Sequence, residues 1–211
     1  ALVTLEEDSF KMVATDSYRL ALTEVKLENP SADEFEAVIS GSFLQDIASL
    51  PKTESTVQIA LAQNQILVSC GDTVFINRRI EGNFPNYKQL LSGKHATRAK
   101  IDVDRLVAAV KRTSLLGSAS TPVKFDINAA SQTVQLSAAS QDVGSAQETL
   151  SCGVEGEDAE IAFNYAYVLD GLSVMPGDTV TLEVGSSREP GIFRIDGAEN
   201  YLYLVMPVRI S

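Results

Sequence analysis

The sequence predicts an α+β protein in which one fold is written twice, with helices on one sheet face. Three observations predict it. Blocks of the sequence recur in the same order at offsets of 123 to 125 residues; short segments alternate apolar and polar residues with strand period; and each copy holds a short helix pattern just ahead of such a strand. The 211 residues suffice for two domains with real cores. The 45% hydrophobic and 21% charged composition excludes a disordered chain.

The first block pairs Phe10-Lys11-Met12-Val13-Ala14 with Val134-Gln135-Leu136-Ser137-Ala138, both strand-like. The second pairs Ser42–Pro51 with Tyr167–Pro176. Apolar residues at 43, 44, 47 and 50 in one copy, and at 168, 169, 172 and 175 in the other, predict a helix ending at a proline. The third is a strand, Val57, Ile59 and Leu61 in one copy and Val180, Leu182 and Val184 in the other. The acidic stretch Glu28–Glu36 reads as a loop. A further amphipathic helix spans Asp102–Gly117, with Val103, Leu106, Val107, Val110 and Ser114 on one face. Its counterpart would fall before residue 1, and no initiator Met is present. The chain is therefore expected to be a fragment of a longer protein, its first copy lacking an opening strand and helix. The small, polar stretch Leu91–Thr97 is the predicted linker, giving domains at 1–93 and 97–211.

Charge is unevenly placed. Seventeen Lys and Arg against 28 Asp and Glu give a net charge of −11, the opposite of the usual phosphate-binding footprint. Between Arg78 and Arg112, however, nine of the basic residues face only three acidic ones. On the 102–117 helix, Arg105, Ala108 and Arg112 point away from the apolar face, with Lys111 on the flank. Such a surface can meet phosphates without reading bases; the plainer reading is a solvated helix face.

Catalytic chemistry has little support. His95, the one histidine, lies in the linker and reads as solvated. The sequence shows no Gly-x-Ser-x-Gly elbow, phosphate loop, His-Glu-x-x-His or calcium loop. The carboxylate pairs Glu6/Glu7 and Glu157/Asp158 sit in turn-like surroundings. Cys70 and Cys152 are too few for a disulfide framework or a zinc site, and read as reduced, mostly buried side chains of a cytosolic protein. No apolar run approaches the ~20 residues of a membrane-spanning helix, and the first residues do not form a secretion signal.

Three segments remain: the turn Thr15–Leu20, the turn Glu81–Tyr87 with two aromatics bracketing a proline, and the apolar tail Tyr201–Ile210, which taken alone reads as a terminal edge strand with a proline near its end. In this order they resemble the bacterial sliding clamp, the beta subunit of DNA polymerase III. The family's Ala-Thr-Asp-Gly-His-Arg-Leu-Ala stands here as Ala14–Ala21, its Glu/Asp-Gly-x-(Phe/Tyr)-Pro-x-Tyr as Glu81–Tyr87, and its Met-Pro-x-Arg as Met206–Arg209.

The resemblance covers essentially the whole chain. It implies the DNA-clamp fold, sheets outside and helices lining the inner face, with most of a second domain at 1–93 and a complete third at 97–211. It implies a non-catalytic, cofactor-free subunit of a homodimeric ring that encircles double-stranded DNA without reading sequence. The ring tethers the DNA polymerase III alpha subunit, the clamp loader and other clamp-binding-motif proteins. The absent first domain supplies the ring contact, so this fragment alone is not expected to close a ring. Arg105, Lys111 and Arg112 are then the DNA-facing residues; a topological ring needs only weak phosphate contacts. The partner groove maps to Thr15, Ser17, Tyr18, Arg19 and Leu20, to Pro85, Gln89 and Leu90, and to Leu204, Val205, Met206, Pro207, Val208 and Arg209. It takes a short peptide with a Leu and a Phe or Leu anchor, fixed by Arg19 or Arg209. Two departures stand out: Ser17-Tyr18 replaces the family's Gly-His, and Gln89 replaces an Arg found in some relatives. The alternative is a tandem-repeat interaction scaffold that never meets DNA.

Overall fold

The computed structural model describes residues 1–31, 33–50, 57–93, 95–115, 121–140, 144–175, 177–195 and 198–209. Pro51, Lys94, Gly117, Pro176, Ile210 and Ser211 lie outside them. The chain divides into two compact units, one of Ala1–Thr15 and Leu22–Asn86, the other of Asp16–Ala21 and Tyr87–Ser211.

In the first unit, β1 (Leu2–Glu6), β2 (Ser9–Thr15), β3 (Arg19–Lys26, joining this unit from Leu22) and β4 (Phe35–Val38) lie in the order β3-β2-β1-β4. Helix α1 (Gly41–Ala48) starts where the Ser40 hydroxyl accepts the Phe43 N–H. The hairpins β5 (Gln58–Leu61), β6 (Gln65–Cys70) and β7 (Thr73–Arg78) form a separate three-stranded sheet. Their core gathers Val3, Ala37, Ile39, Phe43, Ile66 and Val68. The expected loop at 28–36 is shorter than its composition suggests: β4 begins at Phe35, which pairs with Leu5 of β1. Backbone pairing there outweighs the polar character of the stretch.

The second unit repeats this plan and adds to it. After α2 (Lys88–Leu91) come β8 (Thr97–Asp102), α3 (Val103–Ser114), β9 (Pro122–Asn128), β10 (Thr133–Ser140), β11 (Gly144–Ser151), β12 (Gly153–Gly156) and β13 (Ala159–Asn164). They are followed by α4 (Tyr165–Ser173), β14 (Thr179–Val184), β15 (Gly191–Ile195) and β16 (Ala198–Val205). One sheet runs β11-β10-β9-β13; the other runs β12-β8-β14-β15-β16. The core between them is dense, with the Phe163 ring in contact with both Phe125 and Phe193.

The Asp102 carboxylate accepts the Arg105 N–H and starts α3, and Lys111 and Arg112 occupy its last turn, where cations suit the helix dipole. The buried face is Val103, Leu106, Ala109, Val110 and Thr113. It is turned from the expected one, for Val107 and Ser114 are half-buried. Thr113 tolerates burial because its hydroxyl donates to the Ala109 carbonyl at 2.8 Å.

Two expectations are corrected here. His95 is half-buried rather than solvated, and both ring nitrogens are shut off from solvent without a hydrogen-bond partner. The tail is an interior strand: β16 has β15 on one side and the start of β3 on the other, and it ends at Val205 before Pro207. Pro207 thus removes no ladder hydrogen bond. Both cysteines are free thiols, half-buried, and burial pushes the Cys152 thiol up.

Candidate functional site

The second unit brings Asp16–Ala21 against its own last strand. The Met206 N–H donates to the Tyr18 carbonyl at 2.8 Å, and the Val208 N–H donates to the Ala162 carbonyl at 2.8 Å. Local chemistry fixes the turn that makes this possible. Ser17 sits at φ +74°, a left-handed conformation that glycine adopts freely and serine resists. Asp16 holds it there, one carboxylate oxygen accepting the N–H groups of Tyr18 and Arg19, each at 3.1 Å. The turn therefore keeps its shape without glycine.

Arg19 is the most heavily partnered side chain of the turn. Its Nε donates to Asp16 at 2.9 Å, its Nη1 to Asp170 of α4 at 2.6 Å, and its guanidinium carbon stands 4.5 Å from the Tyr167 ring centre. The hydrogen bond to Asp170 leads the causes that raise the guanidinium pKa further. Burial pushes the Asp16 carboxyl up, but the hydrogen bonds from Arg19 and from the two N–H groups outweigh it and hold the group below its usual range. Beneath lies Tyr203, buried, its hydroxyl donating to the Tyr167 carbonyl at 2.8 Å. Burial pushes that phenol up to about 12.

Leu20, Leu204 and Val205 are buried, Met206, Pro207 and Val208 half-buried, and Ser17, Tyr18, Gln89, Leu90 and Arg209 exposed, all within the second unit. Leu20, Leu204 and Val205 are therefore closed off from solvent. Thr15 ends β2 and Pro85 is exposed, both in the first unit. Sequence reasoning missed the framework residues Tyr167, Asp170 and Tyr203. The Tyr167/Asp170 spacing of one helical turn was a signal, but only the fold shows what it faces.

On α3, Arg105, Lys111 and Arg112 are all exposed. Arg112 forks onto Glu148 of β11 through Nε and Nη2, and this pairing leads the causes that hold the Glu148 carboxyl below its usual range. Elsewhere in the basic stretch, Arg98 pairs with the buried Glu183 at 3.3 Å and Arg79 donates to the Glu36 carbonyl at 2.9 Å. Among the described residues no cluster of His, Cys, Asp or Glu could hold a metal ion, and no helix is long and apolar enough to cross a membrane.

Two units of one α+β plan, each a pair of antiparallel sheets with helices, define a protein of the DNA-clamp class. The family model described as the DNA polymerase III beta subunit central domain matches residues 1–86, and that of the C-terminal domain matches residues 88–209. The chain belongs to the DNA polymerase III beta subunit family. A curated beta sliding clamp of Synechocystis is 31% identical over 96% of the chain. The crystal structure of the sliding clamp from Bacillus subtilis superposes with a TM-score of 0.93 at 27% identity, covering 100% of this chain and 56% of that one. The beta chain from Streptococcus pneumoniae gives 0.91 at 32% identity, covering 99% and 56%. The chain spans 56% of the length of its curated Synechocystis relative.

Proposed function

We propose that the chain is the central and C-terminal part of a replication processivity factor. In the whole protein it belongs to a homodimeric ring that slides on duplex DNA and does no catalysis. It takes the polymerase alpha subunit, the clamp loader and other partners through short apolar peptides. Domain limits of 1–93 and 97–211 belong to the same reading, as does a cytoplasmic location, where the chromosome is served. The observation that carries the docking reading is the Asp16–Ala21 turn, held by Asp170 and by the Met206 N–H so that Tyr18 stands out beside the half-buried Met206–Val208. The peptide lies over Leu90, Met206 and Val208, with Leu20, Leu204 and Val205 as floor and Ser17, Gln89 and Arg209 at the margins. Asp16 and Asp170 already engage Arg19, so on this reading Arg19 shapes the turn and Arg209 is left as the polar contact.

Burying two large apolar anchors is worth roughly 3–6 kcal/mol, which suits exchangeable contacts. Fluorescence anisotropy with a labelled peptide carrying Leu and Phe anchors tests the site. Saturable binding that Met206→Asp weakens at least tenfold supports it; no binding, or binding indifferent to that change, overturns it. For DNA, reversing the charge of Arg105, Lys111 and Arg112 in the full-length protein should reduce processivity, and unchanged processivity removes their assignment.

A further inference from the structure

Tyr18 is the exposed aromatic of the turn, 61% accessible, and its surroundings leave one ring face open. The other face stacks on Tyr167, with centroids 6.1 Å apart and planes 27° from parallel. The backbone that carries the ring is held on both sides, by Asp16 and the left-handed Ser17 before it and by the Met206 N–H on its carbonyl. An ordered, exposed, electron-rich face beside an apolar strip is a place to bind something flat or charged.

The charge around it selects which. Asp16 and Asp170 both bind Arg19, so the trio carries two negative charges against one positive, and the two carboxylates remain 45% and 63% accessible. An anion placed on Tyr18 would meet these carboxylates and the ring's negative face together. A neutral aromatic would gain the stack but not the field. A cation gains both, and a guanidinium, planar and weakly hydrated, gains more than an ammonium.

We propose that the open face of Tyr18, on the turn that Asp16 and Asp170 hold through Arg19, is a subsite for a basic side chain, arginine before lysine, of the peptide that docks along Met206–Arg209. This rests on the docking reading above and adds a charge preference to it. The test uses Leu/Phe-anchored peptides with arginine at each position flanking the anchors in turn, against the same peptides with citrulline, which keeps the shape and loses the charge. Anisotropy titrations on the whole chain read the ratio of the two dissociation constants. Arginine is expected to bind about 2- to 5-fold tighter than citrulline at one position. The advantage should fall to near one in Tyr18→Leu, which circular dichroism should show to be folded since the residue is exposed. It should shrink in Asp170→Asn and with added salt. If neither peptide series binds, the docking reading itself fails. If both bind but no position favours arginine, or the advantage survives Tyr18→Leu, the subsite is wrong while docking stands.

Discussion

The two repeats share one sequence pattern and differ sharply in what it buries. Val180, Leu182 and Val184 of β14 are all fully buried; at the matching positions Val57 is 49% and Ile59 37% exposed, and Leu61 only half-buried. Val134 and Leu136 of β10 are fully buried, whereas their counterparts Phe10 and Met12 are half-buried. The second unit has β8 beside β14, setting Ile101 against Val180 and Ala99 against Leu182, and it has α3 packed on α4, β10 and β11. Among the described residues of the first unit, β5 pairs with β6 alone and the one helix longer than a turn is α1. An apolar face in a sequence states which side needs cover; burial and stability come only where cover exists.

The largest effect that can break this comparison is a matched pair of truncations. Leu182→Ala removes a fully buried side chain from the dense core and should cost about 2–5 kcal/mol. Ile59→Ala, at the matching position, should cost less than about 1 kcal/mol because its side chain is already partly in water. Urea titration of each variant measures both. Equal losses would mean that the first unit's sheet is as well covered as the second's.

Alkaline pH sharpens the comparison, because every tyrosine lies in the second unit. Tyr203 keeps its proton in the folded state up to about 12. An unfolded phenol loses it near 10. Stability from this group is therefore complete below pH 10, falls as pH rises from 10 towards 12, and levels above that. The total loss is at most about 2–3 kcal/mol. Urea midpoints at pH 9, 10 and 11 should show it. Hydrogen exchange at those pH values should place the weakening in the second unit, and a loss confined to the first unit would contradict the assignment.

Much of this plan is legible in the residues. The 123–125 offsets marked the helix starts and strands of both units because caps, apolar spacing and alternation are local properties. The α3 helix was legible for the same reason, although its buried face was rotated by a threonine that satisfies its own hydroxyl. The frame of the candidate site was not. Arg19 meets Asp170 across 151 residues and Tyr203 across 184, and no periodicity reports such a contact. Ser17 hid its role differently: its residue type does not announce a left-handed φ, which the Asp16 carboxylate supports by binding the next backbone N–H. His95 looked solvated because its neighbours are small and polar, yet its ring nitrogens are buried.

The smallest effect turns on Gly171 in α4. In an exposed helix, glycine to alanine stabilises by about 1 kcal/mol because alanine has less backbone freedom to lose. At the matching place in the first repeat, Asp46 of α1 is exposed, and Asp46→Ala should change stability by no more than about 0.5 kcal/mol. Gly171 differs because the Tyr203 ring lies directly against it, and an added Cβ would overlap that ring. The ring has little room to retreat, since its hydroxyl is tied to the Tyr167 carbonyl. Gly171→Ala should therefore destabilise by about 1–3 kcal/mol, reversing the helix-propensity sign. It should also loosen the Arg19 contacts, because Tyr203 and Asp170 flank that guanidinium from one helix and one strand. Thermal denaturation gives the first effect, and peptide anisotropy gives the second as a weaker dissociation constant. A stabilised Gly171→Ala variant with unchanged peptide affinity would show that the helix and Tyr203 can separate without consequence for the turn.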